Sequence, residues 1–182
     1  MNIHFSTIAP RLLVAVLATA CSPNENWREI RLEGTSWKVQ LPCKPDRTTR
    51  TVPMGEQAVD LHVVGCESGT TVVAVMTAPL RTGVDAAALL ARWQKATLLN
   101  AQVDLPLNAQ QRQTWHRAGM LPLTSSVRIQ AQARKADGQT VVMDAVWGAM
   151  AEGDQVRVIH AVVYDRAASS EMANTLFEGI TP

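Results

Sequence analysis

The chain has 182 residues, seventeen Lys or Arg and sixteen Asp or Glu, for a formal charge of +1. Arg11 is the only charge in the first twenty residues, so the remainder carries sixteen charges of each sign and is neutral. That argues against binding led by a basic surface, and so against nucleic acid as a partner. Hydrophobic residues at 47% and charged residues at 18% fit a folded chain, not a disordered one. The 162 residues left when the first twenty are taken from 182 suit one domain with one core.

Residues 1–20 have the form of a secretory signal. Arg11 and the free amine supply a positive start, and residues 12–20 form an apolar run of nine. A membrane-spanning helix needs about 20 such residues. The run Leu17-Ala18-Thr19-Ala20-Cys21 resembles a bacterial lipobox, with Ala18 where Leu is commoner. The resemblance implies that Cys21 is lipidated and becomes the mature N-terminus. An ordinary cleaved signal with a chance cysteine is the alternative. Residues 21–35, opening Ser22-Pro23-Asn24-Glu25-Asn26, then read as a polar tether, and residues 36–182 as a single domain. By analogy with sorting in enteric bacteria, Ser22 after the cysteine points to the outer membrane, with the domain facing the periplasm.

Trp37-Lys38-Val39-Gln40-Leu41 alternates apolar and polar residues, the mark of a half-buried strand. Pro42 ends it. Residues 44–57, with Pro45, Pro53 and Gly55, read as a polar loop with at most a short strand near Thr51. Val59, Leu61 and Val63 alternate with Asp60, His62 and Val64. The turn Glu67-Ser68-Gly69 returns the chain through residues 70–77 as a hairpin. That second strand is apolar on both faces and predicts a central strand with a helix over one side. Cys43 and Cys66 end the two strands. In an oxidising compartment an even pair favours a disulfide. Zinc would need distant histidines: His62, His116 and His160 lie 54 and 44 residues apart without ligand spacing.

A helix is predicted over residues 85–99, capped by Asp85, with Ala86, Leu89, Leu90, Trp93, Ala96 and Thr97 on one face and Asn100 at its end. Pro106, Gly119 and Pro122 argue against long elements over residues 101–121. Ile129, Ala131 and Ala133 alternate with polar residues. Asp137-Gly138 turns the chain onto residues 140–149, and Glu152-Gly153-Asp154 turns it onto 156–164, giving a three-strand meander. Ser169 or Ser170 caps a final helix with Met172, Leu176 and Phe177 on its apolar side and Gly179 at its C-cap. The order β-β-β-α-β-β-β-α predicts an α+β fold with both helices on one antiparallel sheet.

The run Trp37-Lys38-Val39-Gln40-Leu41-Pro42-Cys43-Lys44-Pro45 resembles the opening of a group of bacterial lipoproteins with a PsbP/Mog1/DcrB-like domain. Lys135-Ala136-Asp137-Gly138 and Phe177-Glu178-Gly179-Ile180 match that pattern's mid-chain turn and closing helix. The resemblance implies an antiparallel sheet with helices against it. It implies no reaction, and relatives of this fold act mostly as binding or assembly factors.

No G-x-S-x-G, H-E-x-x-H, phosphate loop or EF-hand loop occurs. Asp144 and His160 fall on adjacent strands of the meander, and a tight turn would set them side by side on one face, as a structural pair or as the orienting half of a triad. Trp93 and Trp147 read as core, and Trp27 as an ordered linker or a contact near the tether. The reading that follows is a non-enzymatic outer-membrane lipoprotein without cofactor or metal, binding another envelope protein. The alternative is a small-ligand binder with a pocket between sheet and helix. A hydrolase built on His160 or His116 ranks third.

Overall fold

The computed structural model describes residues 25–54, 57–168 and 170–182. Residues 1–20, read as an export signal, Cys21 and the expected cap at Ser169 lie outside the described residues. The described chain is a mixed α+β fold. β1 (Arg28–Arg31) and β2 (Lys38–Leu41) pair antiparallel with each other alone. A seven-stranded antiparallel sheet holds the rest in the spatial order β3-β4-β5-β9-β8-β7-β6. Its strands are β3 (Asp46–Met54), β4 (Gln57–Ser68), β5 (Thr71–Pro79), β6 (Arg112–Thr114), β7 (Val127–Arg134), β8 (Thr140–Glu152) and β9 (Gln155–Asp165). Helix α1 (Ala86–Asn100) follows β5, and α2 (Ser170–Glu178) follows β9.

The β4–β5 hairpin, both helices and the β7–β8–β9 meander stand where the alternation predicts them. The element order does not: it is β-β-β-β-β-α-β-β-β-β-α among the described residues. Three strands are additional, β1, β3 and β6. Residues 46–54, read as a loop, form a nine-residue edge strand in full register with β4. Folded structure also begins ahead of the expected boundary at residue 36. The Asn26 amide donates to the Pro42 carbonyl at 2.8 Å, and Leu32 is buried in the core. The end of the segment read as a tether is therefore strand and turn. The Trp37–Leu41 run does not join the main sheet. It forms part of a small layer laid across that sheet.

The helices do not share a face of the sheet. Side chains alternate across each strand, so both faces are apolar and each is covered separately. One core joins Val73, Val75, Val146, Ile159, Ala161 and Val163 to α2, through Ala173, Leu176 and Phe177, and to β2, through Val39 and Leu41. The other joins Ile129, Met143, Ala145, Trp147, Val158 and Val162 to α1 through Leu89, Leu90 and Leu98. A polypeptide layer thus lies on each side of the sheet. α1 starts at Asp85, whose side chain accepts from the Ala87 and Ala88 amides at 2.9 and 3.1 Å. Gly179 follows α2 without a positive φ. Its need is space: a Cβ there would lie 2.9 Å from the Thr175 carbonyl oxygen and 3.3 Å from the side chain of Gln40 on β2.

Several contacts hold the β1–β2 layer. The Cys43–Cys66 disulfide, expected from the sequence, joins it to β4 with a Cα–Cα distance of 5.9 Å. At the other end the Ser36 amide and hydroxyl donate to Glu152 at 2.8 and 3.1 Å. Arg157, almost fully buried, donates to the Gly34 and Glu33 carbonyls at 3.3 and 3.4 Å. Burial pulls the Arg157 guanidinium below its usual range, against the field of Glu152 and Glu33. Lys38 and Thr181 exchange backbone hydrogen bonds, tying the layer to the chain beyond α2.

Candidate ligand cavity

α1 packs over the β7–β8–β9 side of its face and leaves the β5 side partly open. Val72, Ala74 and Met76, which the two-faced apolar pattern of β5 assigns to a covered surface, are only half-buried. Opposite Ala74 on β4 is Gly65, whose added Cβ would lie 2.5 Å from the Val73 carbonyl oxygen. Two very small residues in register keep this part of the sheet low. The result is a cavity of about 440 Å³ between α1 and the sheet. Val72, Ala74, Met76 and Val162 form its apolar floor, and Trp93, Thr97 and Asn100 of α1 form one wall. Tyr164 and Val141 close it, and Arg134 and Lys135 reach it from the end of β7 and its turn. Burial raises the Tyr164 pKa, so its hydroxyl keeps its proton.

His160 is the one titratable group of the floor and is 2% exposed. Its ring stacks on Trp147, with centroids 4.3 Å apart and planes 5° from parallel, and meets Trp93 edge-on at 5.3 Å. Nδ1 lies 3.1 Å from the Val146 carbonyl oxygen. A carbonyl only accepts, so Nδ1 carries the proton and Nε2 presents a lone pair. Burial lowers the His160 pKa to about 4, with the Val146 bond opposing it, so the ring is neutral near pH 7. The unfolded ring binds a proton below about pH 6.5 and the folded ring only below about 4. Between those values the unfolded state holds more protons, so this contribution is complete above pH 6.5 and is lost as pH falls toward 4. Thermal melts from pH 7 to 4 are expected to show a falling midpoint in the wild type. The fall should be clearly smaller in His160→Gln, and equal slopes would reject this account of the ring.

Asp144 is not beside His160. β8 and β9 pair Trp147 with His160 and Asp144 with Val163, which puts the carboxylate on the α2 face. There Arg128 grips it with Nε–Oδ1 at 2.8 Å and Nη2–Oδ2 at 2.6 Å, and Gln130 donates to Oδ2 at 3.2 Å. The orienting half of a triad is not formed. His116 Nε2 lies 3.1 Å from the Met120 carbonyl, and His62 Nδ1 lies 3.2 Å from Thr49 Oγ1 and 3.4 Å from Glu33. Among the described residues, no serine or cysteine is hydrogen-bonded to His160 or His116. No group of three or more His, Cys, Asp or Glu among them could hold a metal.

Trp147 is core as expected, whereas Trp93 is a half-buried cavity wall. Trp27 packs partly buried against the core, its indole N–H donating to Glu25 at 3.0 Å. Trp93, Arg134 and Tyr164 carry no motif, and Lys135 is read only as part of a turn. Their only signal is indirect: the doubly apolar β5 offers more surface than one helix can cover. No helix among the described residues is long and apolar enough to cross a membrane. No family model and no curated protein matches the chain.

Proposed function

We propose that this chain is a non-enzymatic binding lipoprotein of the cell envelope, tethered through Cys21 to the outer membrane, which holds a small ligand with an apolar body between α1 and the sheet. The observation that carries the reading is the cavity, apolar on its floor, with few convergent polar groups and a volume within the range of ligand pockets, about 300–1,000 Å³. It favours a small ligand over the envelope-protein partner that sequence alone puts first. The sheet with helices against it, and the Lys135-Ala136-Asp137-Gly138 turn between β7 and β8, support kinship with the PsbP/Mog1/DcrB-like lipoproteins.

A neutral solvatochromic dye such as Nile red tests the pocket. It is expected to bind the purified domain with a blue-shifted emission. Ala74→Phe, which fills the floor, should abolish that shift while melting as a folded protein. A dye response unchanged by the substitution would place the binding elsewhere and sink the reading. The tether has a separate test. Cys21→Ser is expected to leave the membrane fraction and to accumulate as unprocessed precursor. Membrane retention with normal processing would count against lipidation.

A further inference from the structure

On the reading that the cavity is a ligand site, we infer that its ligand is a single-chain aliphatic amphiphile with an anionic head, a carboxylate or a phosphate monoester, whose chain lies over Ala74 and Met76 and whose head is held by Arg134 and Lys135. The mature chain is electrically neutral, yet the cavity wall carries two cations and no carboxylate. Both residues line one end of the cavity, where the Arg134 amide donates to the Ala101 carbonyl at 2.8 Å at the close of α1. Among the described residues the ion pairs are Lys38–Glu29 and Arg128–Asp144, with His62 the one other basic side chain within reach of a carboxylate, so neither Arg134 nor Lys135 is neutralised by a neighbour. The acid closest to them in sequence, Asp137, is engaged in its own turn, accepting from the Gln139 amide at 2.9 Å.

The C-terminal end of α1 contributes only about half a negative charge, which offsets part of the two cations and leaves the end positive. Its last carbonyls are also spent: Thr97, Leu98 and Leu99 accept from Ala101, Val103 and Gln102. An anion arriving there would meet the Lys135 ammonium, with the long Arg134 side chain in reach around the end of β7, and charge-assisted hydrogen bonds of that kind are the strong ones. The opposite end of the ligand meets no charge. Val72, Ala74, Met76, Trp93 and Val162 bury hydrocarbon, and neutral His160 adds no cation to the floor. A wholly apolar ligand would leave the cations unused, and a cationic one would be repelled by both.

Displacement of Nile red from the purified domain separates this inference from the cavity reading beneath it. The competitors are decanoate, decyl phosphate, decanol and decyltrimethylammonium, all below their micelle concentrations. At least one anion is expected to displace the dye at concentrations about tenfold or more below decanol, with the cation weakest. The order of the two anions identifies the head. In Arg134→Gln/Lys135→Gln, at exposed and half-buried positions, the dye should still bind while the anion advantage disappears. Equal displacement by all four compounds, or an anion advantage that persists in the double variant, would overturn the inference and leave the apolar cavity standing. Failure of the dye to bind wild type at all would remove both.

Discussion

Asp144→Ala is expected to destabilise the domain by about 2–3 kcal/mol, the cost of losing a buried carboxylate and its charged hydrogen bonds to the quarter-exposed Arg128. Asp144 is 4% exposed and accepts three hydrogen bonds, two from Arg128 and one from Gln130. Arg128 also donates to Asn174 at 2.7 Å and lies 5.1 Å over the Phe177 ring, so one guanidinium joins β7, β8 and α2. Removing the carboxylate takes away that cation's main partner and loosens the hold of β7 and β8 on the helix. Urea unfolding is the measurement, with an unchanged slope required for the loss to be read as stability. Arg128→Met/Asp144→Leu, which removes both charges, should recover most of the loss. A single-variant effect below about 1 kcal/mol, the scale of an exposed pair, would show the bridge to be peripheral.

Loss of the Cys43–Cys66 bridge is expected to cost about 3 kcal/mol in the chain-entropy account, for a sequence separation of 23. At this chain length that corresponds to a fall of roughly 6–12 °C in Tm. Apart from the chain itself at residues 42–45, the bridge is the one covalent tie between the β1–β2 layer and the main sheet among the described residues. Its loss should therefore release that layer first. Hydrogen exchange of Cys43→Ala/Cys66→Val is expected to accelerate in β1 and β2 more than in β8 and β9. Uniform acceleration would mean that the layer is held by its packing instead. A linked peptide in non-reduced tryptic digests of the purified protein, absent after reduction, checks that the bond forms.

What could be read from the sequence divides along burial. β2, the β4–β5 hairpin and the β7–β8–β9 meander each press at least one face into a core, so hydrophobic alternation reveals them. The strands that escaped notice are edges or exposed pairs. Residues 46–51 of β3 are exposed on both faces, and Pro53 is tolerable because an edge strand has one unpaired side. β1 carries Arg28, Glu29 and Arg31 and is a strand because β2 lies beside it. The Asp144–His160 pairing failed by one residue of turn length. A three-residue turn at 152–154 would set 151 opposite 155 and align the two on one face. The observed turn leaves only residues 153 and 154 unpaired, with Glu152 opposite Gln155, and every later side chain changes sides. The cavity depends on how far α1 extends across the sheet, a tertiary quantity that no periodicity encodes.

The last strand of the chain lies at the centre of the sheet, between β5 and β8. Its pairing with β5 joins Val72 to Tyr164 and Pro79 to Arg157, partners 92 and 78 residues apart. The β4–β5 and β7–β8 hairpins can close locally as each is made, but each then presents a long unpaired edge until β9 arrives. A domain wired this way cannot fold progressively from its N-terminus. It must wait for nearly the whole chain, and its non-local closure makes folding slow relative to helical proteins of similar size. While it waits, the apolar edges of β5 and β8 are open to pairing with other chains. Such a polypeptide gains little from early folding, and its strands complete one another only once the last of them is free to enter the sheet.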